Sequence, residues 1–298
     1  MNNREFSKIP VSRKIFLTFD YVFLSVLALI MFYPIWYVIC AAFSSNNAFM
    51  ANDKILIFPL EFTTDAFKMM FKNPMIVRGF LNSVFLVAVT TFGAVIMTAM
   101  CAYVLSRKGV LWNKAFSKFV IFTMYFNGGL IPTYLVIVNF LHLNDSWLAL
   151  ILPALMSVYN MIIMRTSFSA IPQSLEEAAR IDGASHWVIL FRIVLPLSKA
   201  IIAVMCLYYA VGNWNSWFPA SIYLKTRSKY PIQLILREIL IANDTSSMTG
   251  DVAMADQVNV GEIIKYAVIV TVTLPILAVY PFLQKYFVGG VMIGAVKG

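Results

Sequence analysis

Apolar runs with few or no charges recur along the chain at about residues 21–43, 84–105, 119–138, 147–164, 200–220 and 266–283. Each is long enough to cross ~30 Å of hydrocarbon as a helix rising ~1.5 Å per residue. The pattern therefore predicts an all-α integral membrane domain of six transmembrane helices over residues 21–283. A short segment precedes it at 1–20 and a tail follows at 284–298. Two connections stand out, a compact one at 171–200 between the fourth and fifth spans and a long polar one at 221–262. Pro34, Pro132, Pro153 and Pro275 fall inside spans, where each removes a backbone donor and predicts a kink.

Composition agrees with this pattern. Of the 298 residues, 60% are hydrophobic and 12% charged, with a mean hydropathy of +0.79, whereas a soluble domain carries about 25% charged residues. Basic residues at Arg4, Lys8, Arg13 and Lys14 precede the first apolar run, as in a signal peptide. The run from Tyr21 to Phe43 is too long for a cleaved leader and reads as a retained signal-anchor helix. Cys40, Cys101 and Cys206 lie far apart in apolar stretches and read as small core residues rather than metal ligands or disulfide partners.

Charge sets an orientation. With the N-terminus in the cytoplasm, fourteen of the 23 Lys and Arg residues fall on inner segments, and the whole net charge of +9 is cytoplasmic. This is the bias expected of a membrane protein with both termini inside. A nucleic-acid partner, which needs basic residues clustered on one exposed face, is not required. Aromatic residues gather at predicted interfaces: Tyr33, Trp36 and Tyr37 on the first span, Trp147 opening the fourth, and Trp214, Trp217 and Phe218 closing the fifth.

What the spans lack narrows the function. No Asp, Glu, Lys, Arg or His occupies the central part of any span, so a proton relay or ion-coupled pump has no intramembrane group to use. No G-x-x-x-x-G-K-[ST] loop is present to cradle a nucleotide. His142 and His186 have no neighbours that complete a catalytic set and read as polar loop residues. The chain is expected to be a non-catalytic subunit driven from outside.

The run from Ile171 to Ala200 carries the most information. Ser174 and Glu177 have capping-box spacing behind Pro172, predicting a helix from about Leu175 to Asp182 that Gly183 ends. Ser185 can cap a second helix from His186 to Val194, stopped by Pro196. Ala178 and Ala179 leave room for close approach, while Glu177, Arg180 and Asp182 offer charged contacts. Glu177, Ala178 and Ala179, then Gly183 after three residues, then Ile193, Val194, Leu195 and Pro196 after nine more, resemble the EAA loop of binding-protein-dependent ABC importer permeases. The resemblance implies a type I importer fold in which this loop is a coupling helix docking on a separate ATPase. Glu177 would meet a basic group there and Gly183 would permit the turn. For Glu177 the capping role stands beside the docking role.

Similarity extends over nearly the whole chain. The stretches Phe80 to Ser83, Ala102 to Arg107, Ile181 to Ser185 and the pair Trp214 and Asn215 resemble the carbohydrate-uptake class, specifically the half similar to the smaller maltose permease subunit. Tyr125 to Tyr134 and the tail from Tyr280 to Val291 resemble a subgroup associated with oligosaccharides from complex, often uronic-acid-bearing polysaccharides. The resemblance implies a heterodimer with a second permease and two ATPase subunits that bind ATP and Mg; this chain needs no cofactor. It also implies an extracytoplasmic sugar-binding protein, touched by the long outer loop, and a place in the bacterial cytoplasmic (inner) membrane. Sugar sites combine aromatic walls with amides and hydroxyls, which makes Tyr125, Asn127, Tyr159, Asn160, Asn213, Trp214 and Asn215 the substrate-pathway candidates. The same polar groups also suit interhelical hydrogen bonds. The expected mechanism is alternating access. An ion-coupled sugar carrier and an intramembrane enzyme are the rival readings. The first should show an inverted repeat and the second a polar catalytic set, neither of which is evident.

Overall fold

The computed structural model describes residues 10–242, 263–279 and 281. Arg4 and Lys8, the stretch of the outer loop after 242, and the tail at 284–298 with most of its motif lie outside the described residues. The described residues form two compact units, one from 10–73, 242 and 263–271, the other from 74–241, 272–279 and 281.

In the first unit a continuous 32-residue helix, α1 (Val11–Ala42), includes Pro34 without a break. Its apolar side chains from Val11 to Ile35 are exposed apart from the half-buried Leu17, and only Cys40, Ala41 and Ala42 are buried. A helix apolar on every side suits hydrocarbon rather than water. The following chain folds back through two short helices, α2 (Asn46–Met50) and α3 (Asp65–Lys72). It is held to the end of α1 by polar contacts: Trp36 Nε1 donates to Ile57 O at 2.7 Å, and Leu60 N donates to Ser44 Oγ at 3.0 Å.

The second unit is organised on α4 (Pro74–Ser106), 33 residues long. Its buried positions include Gly79, Ser83, Leu86, Thr90, Ala94, Thr98, Ala102 and Leu105, spaced three or four apart along one stripe. Most are small, which lets neighbouring backbones approach; in a bilayer, helices associate through such packing and through hydrogen bonds rather than through exclusion of water. Ala94 and Thr98 are both fully buried, and Thr98 Oγ1 lies 2.6 Å from Tyr209 Oη, whose oxygen also accepts from Ser157 N at 3.0 Å.

Three predicted spans are not straight. The third apolar segment splits into α5 (Asn113–Tyr125) and α6 (Leu130–Phe140), meeting at 109°. Gly129, with φ +81°, supports the break, and the last five residues of α6 are wound as a π-turn. Pro132, read as the kink, sits in the first turn of α6, where its missing donor matters little. The fourth segment divides at 155–157 into α7 (Leu148–Ala154) and α8 (Val158–Ser169), bent by 43° just after Pro153. The fifth begins earlier than its hydropathy indicates: a helix over Gln173–Ile181 (α9) is followed by α10 (His186–Leu197) and, after an 87° bend, by α11 (Lys199–Trp214). Helix α10 runs through Pro196, since a π-turn at Leu190–Val194 has already shifted the hydrogen-bond register, and the break falls at Ser198. Pro275 lies within the last apolar helix, Ile263–Val279.

The outer loop, read as polar, is partly built. A short helix, α12 (Phe218–Tyr223), leads to a 3-10 turn at Arg227–Lys229 and to α13 (Ile232–Ala242), whose Ile232, Leu234, Ile235 and Ile239 are buried. Polar groups, buried at Asn82 and Ser83 and half-buried at Asp145, bolt this segment down. Asn82 Nδ2 donates to Ser228 O (2.9 Å) and Tyr230 O (3.0 Å), and Ile232 N donates to Ser83 Oγ at 2.8 Å. Asp145 accepts from Lys225 N, Thr226 N, Thr226 Oγ1 and Lys229 Nζ. The lysine hydrogen bond foremost, then those from Thr226 and Lys225, hold its carboxyl far below the usual carboxylate range.

Two tests follow from these bolts. Asn82→Ala removes the buried donor that holds the carbonyls of Ser228 and Tyr230 and should lower stability by about 1–2 kcal/mol, seen as a lower thermal midpoint in detergent. A depressed folded-state pKa stabilises fully above the unfolded value of about 3.9 and is lost only as pH falls through the folded one. Asp145→Asn should therefore lower the midpoint at neutral pH and flatten its dependence on pH below about 4.

Candidate functional site

Helix α9 begins at Gln173 with Pro172 in the cap position, and no side chain caps it. The expected capping box is not formed. Proline at the cap places Ser174 inside the first turn, where its hydroxyl no longer faces the free N–H groups, so Glu177 is not a capping partner and its carboxylate stands exposed. The C-terminus follows expectation. Gly183 has φ +80°; its N–H reaches Arg180 O at 3.0 Å, and Ala184 N reaches Ala179 O at 2.9 Å. That pair of bonds is a Schellman closure, which needs a left-handed residue at this position. Ser185 Oγ accepts from Val188 N at 3.4 Å and caps α10 as predicted.

What anchors α9 is a residue that the sequence reading passed over. Glu176 is 4% exposed and pairs with Arg107, itself 7% exposed, at the end of α4. The same guanidinium donates through Nη2 to Phe168 O at 3.2 Å, near the end of α8, and lies 4.9 Å over the Tyr103 ring. One side chain thus joins α4, α8 and α9. Burial, first, and neighbouring Arg180 push the Arg107 pKa down, while Tyr103 acts the other way. The signal was faint but present: Glu176 and Ala179 share the inward face at i, i+3 spacing, and Arg107 stands two residues beyond Leu105, where the apolar stripe of α4 ends.

Around this anchor the remaining residues divide cleanly. Ala179 is half-buried against the core of Met164, Phe168, Ile189 and Leu190, whereas Glu177, Ala178, Arg180, Asp182 and Gly183 are exposed. Large apolar groups are exposed beside them: Leu175 at 44%, Ile181 at 86% and Trp187 at 59%. His186 Nδ1 lies 3.3 Å from Tyr103 Oη, a structural contact in a loop. The result is a short helix rigidly held on one face and presenting acid, base and apolar groups on the other.

The substrate-pathway candidates do not converge on one spot. Tyr125 (73% exposed) ends α5, and Asn127 Oδ1 accepts from Gly129 N at 2.7 Å, shaping the break between α5 and α6. Tyr159 is 59% exposed while Asn160 is buried in the first turn of α8. Trp214 is 6% exposed and donates through Nε1 to Val272 O at 3.1 Å, with its ring edge-on to Phe80; its faces are taken up by packing. Asn215 is exposed and bonds back to Val211 O at 2.9 Å. Asn213 alone among the seven lines a cavity of about 300 Å³ between α4, α6, α7, α11 and α12, with Ser83, Thr90, Thr133, Ser216 and Tyr223 as its other polar lining groups. Hydroxyls recurring on the small-residue stripe of α4, at Ser83 and Thr90, were the available sequence signal for this cavity.

Known proteins align along almost the entire chain. It is 42% identical over 285 residues to Protein LplC of Bacillus subtilis, covering 96% of each. It is 41% identical over 280 residues to the polygalacturonan/rhamnogalacturonan transport system permease protein YtcP of the same organism, covering 93% of this chain and 96% of that one. Its fold is similar, with a TM-score of 0.85 and 29% identity, to a chain in the crystal structure of a bacterial ABC transporter involved in the import of the acidic polysaccharide alginate, covering 94% of this chain and 99% of that one. The family model described as binding-protein-dependent transport system inner membrane component matches residues 10–293, and with a clamped, outward-presenting EAA helix between bent apolar segments, the chain belongs to that family.

Proposed function

We propose that this chain is one permease of a heterodimeric ATP-driven importer, carrying oligosaccharides released from acidic, uronate-bearing polysaccharides into the cytoplasm. Two ATPase subunits bind ATP and Mg, and an extracytoplasmic sugar-binding protein delivers the substrate. Both termini and α9 face the cytoplasm. The observation that carries this reading is the construction of α9. A helix of nine residues cannot hold its own shape in water, yet this one is fixed by a buried ion pair while Glu177, Leu175 and Ile181 remain uncovered. Exposed apolar groups rimmed by charge mark a protein contact, and a rigid handle transmits a displacement that a flexible loop would absorb. Closure of the ATPases would move α9, and with it α4 and α8 through Arg107. The bend at Ser198 lies between this handle and α11, where the two parts can turn relative to each other. Nucleotide and sugar shift the inward-open and outward-open populations only through their differential affinity for them.

The substrate class rests on the relatives named for polygalacturonan/rhamnogalacturonan and for alginate. The cavity beside Asn213 offers hydroxyls and an amide, suited to sugar hydroxyl groups, and no cation lines it. Carboxylates of a bound uronate would then be met by the second permease or the binding protein.

In a strain lacking this subunit, restoring the gene should recover ATP-dependent uptake of oligogalacturonides. Recovery of neutral oligosaccharides only would overturn the substrate class, and sugar movement by the purified chain under an ion gradient alone would overturn the ABC assignment. Adjacent glutamates should behave differently. Glu176→Gln leaves Arg107 buried without its counter-charge and should cost about 3–5 kcal/mol, read as a fall in thermal midpoint. Glu177→Gln should leave the midpoint unchanged while weakening ATPase co-purification and uptake; unaltered uptake would remove Glu177 from the docking contact.

A further inference from the structure

A second cavity, of about 730 Å³, opens where α4 ends and α5 begins, and its lining includes Lys108, Lys114, Lys118 and Arg165. No carboxylate lines it, and among the described residues none of these four cations makes an ion pair. Four unneutralised cations around one cavity repel one another unless an anion sits among them. Its floor is built rather than loose. Asn113 Nδ2 donates to Arg107 O at 2.8 Å and to Leu105 O at 3.3 Å, and buried Ser117 donates to Asn113 Oδ1 at 3.1 Å, tying the turn after α4 to the first turns of α5.

The surroundings say which anion. Lys114, Lys118, Phe122 and Tyr125 follow one another at three- or four-residue spacing, so they share a face of α5. Phe122 is 54% and Tyr125 73% exposed, continuing the cationic face into the apolar segment. Trp112, 69% exposed, stands at the rim as interfacial tryptophans do. A free anion would gain nothing from that apolar continuation; an acyl chain would be laid along it. A protein partner would have to bring acids into a cavity flanked by surface that belongs in hydrocarbon.

We infer that this cavity binds the phosphate headgroup of an anionic phospholipid, with an acyl chain running along Phe122 and Tyr125. Under the orientation proposed above the lipid belongs to the inner leaflet, where a bound headgroup would brace the turn that carries Arg107 and hence the base of α9. Basic pockets beside transmembrane helices are suited to such headgroups.

The test uses the assembled transporter in nanodiscs of phosphatidylcholine doped with a spin-labelled phosphatidylglycerol. Both leaflets are present, so the readout does not depend on the orientation or on the sugar carried. The wild type should show an immobilised lipid fraction, which Lys114→Gln with Lys118→Gln lowers about tenfold or more, while Lys114→Arg with Lys118→Arg retains it. Equal immobilisation in wild type and the Gln double variant overturns the proposal. So does displacement of the label by millimolar inorganic phosphate as effectively as by unlabelled phosphatidylglycerol, which would make the site one for a free anion. Loss of ATPase from the Gln variant with lipid immobilisation unchanged would also overturn it, giving the patch to the partner protein.

Discussion

A guanidinium taken out of water must be met on several sides at once, and Arg107 is met by a carboxylate, a backbone carbonyl and an aromatic face. These partners come from α9, α8 and α4. None of the three helices can shift alone without exposing a buried charge to low dielectric, the most expensive loss available to this part of the molecule. The Schellman closure at Gly183 and the cap at Ser185 then set the path of the chain from α9 into α10. Geometry at the exposed face of α9 is therefore inherited from a charge pair buried on its opposite face.

Elsewhere the polar contacts do comparable work at smaller scale. Helices in a bilayer gain little from hiding apolar surface, since the lipid is as apolar as they are. Specific placement falls to close approach at small residues and to hydrogen bonds such as Thr98 with Tyr209 or Asn82 with the carbonyls at 228 and 230. These bonds fall in both halves of α4, so the 33-residue helix serves as the spine against which shorter, bent segments are registered.

Much of this was legible in the sequence because hydropathy integrates over twenty residues and is insensitive to local detail. Six apolar segments were found for that reason, whereas the EAA loop was found from residues at set spacings, among them Gly183, which adopts a backbone conformation few residues tolerate. Bends were less visible. The Asn127, Gly128, Gly129 run that breaks the third segment sits in an apolar window whose average hides it, and π-turns at Val136–Phe140 and Leu190–Val194 leave no compositional trace. Proline misled in part, because its effect depends on position: Pro34 and Pro196 are carried within helices and Pro132 opens one. Choosing between Glu176 and Glu177 required the facing surface; adjacent identical residues on a helix are separated only by what lies opposite each. The substrate-pathway residues were chosen by chemistry alone, and whether a polar side chain lines a cavity or bonds its own helix is decided by tertiary packing, as Asn213 and Asn215 illustrate.

The corner between α5 and α6 has a further meaning. A helix that stops leaves its last carbonyls, and one that starts leaves its first amides, without partners of their own, and at 109° the two ends cannot serve each other. Hydrocarbon offers nothing to satisfy such groups and penalises each by several kcal/mol. Part of that demand is met inside the elbow, where Asn127 Oδ1 takes up the Gly129 amide and Thr133 donates to Gly129 O through both its amide and its hydroxyl, so the side chains flanking the corner double as substitutes for a missing turn of helix.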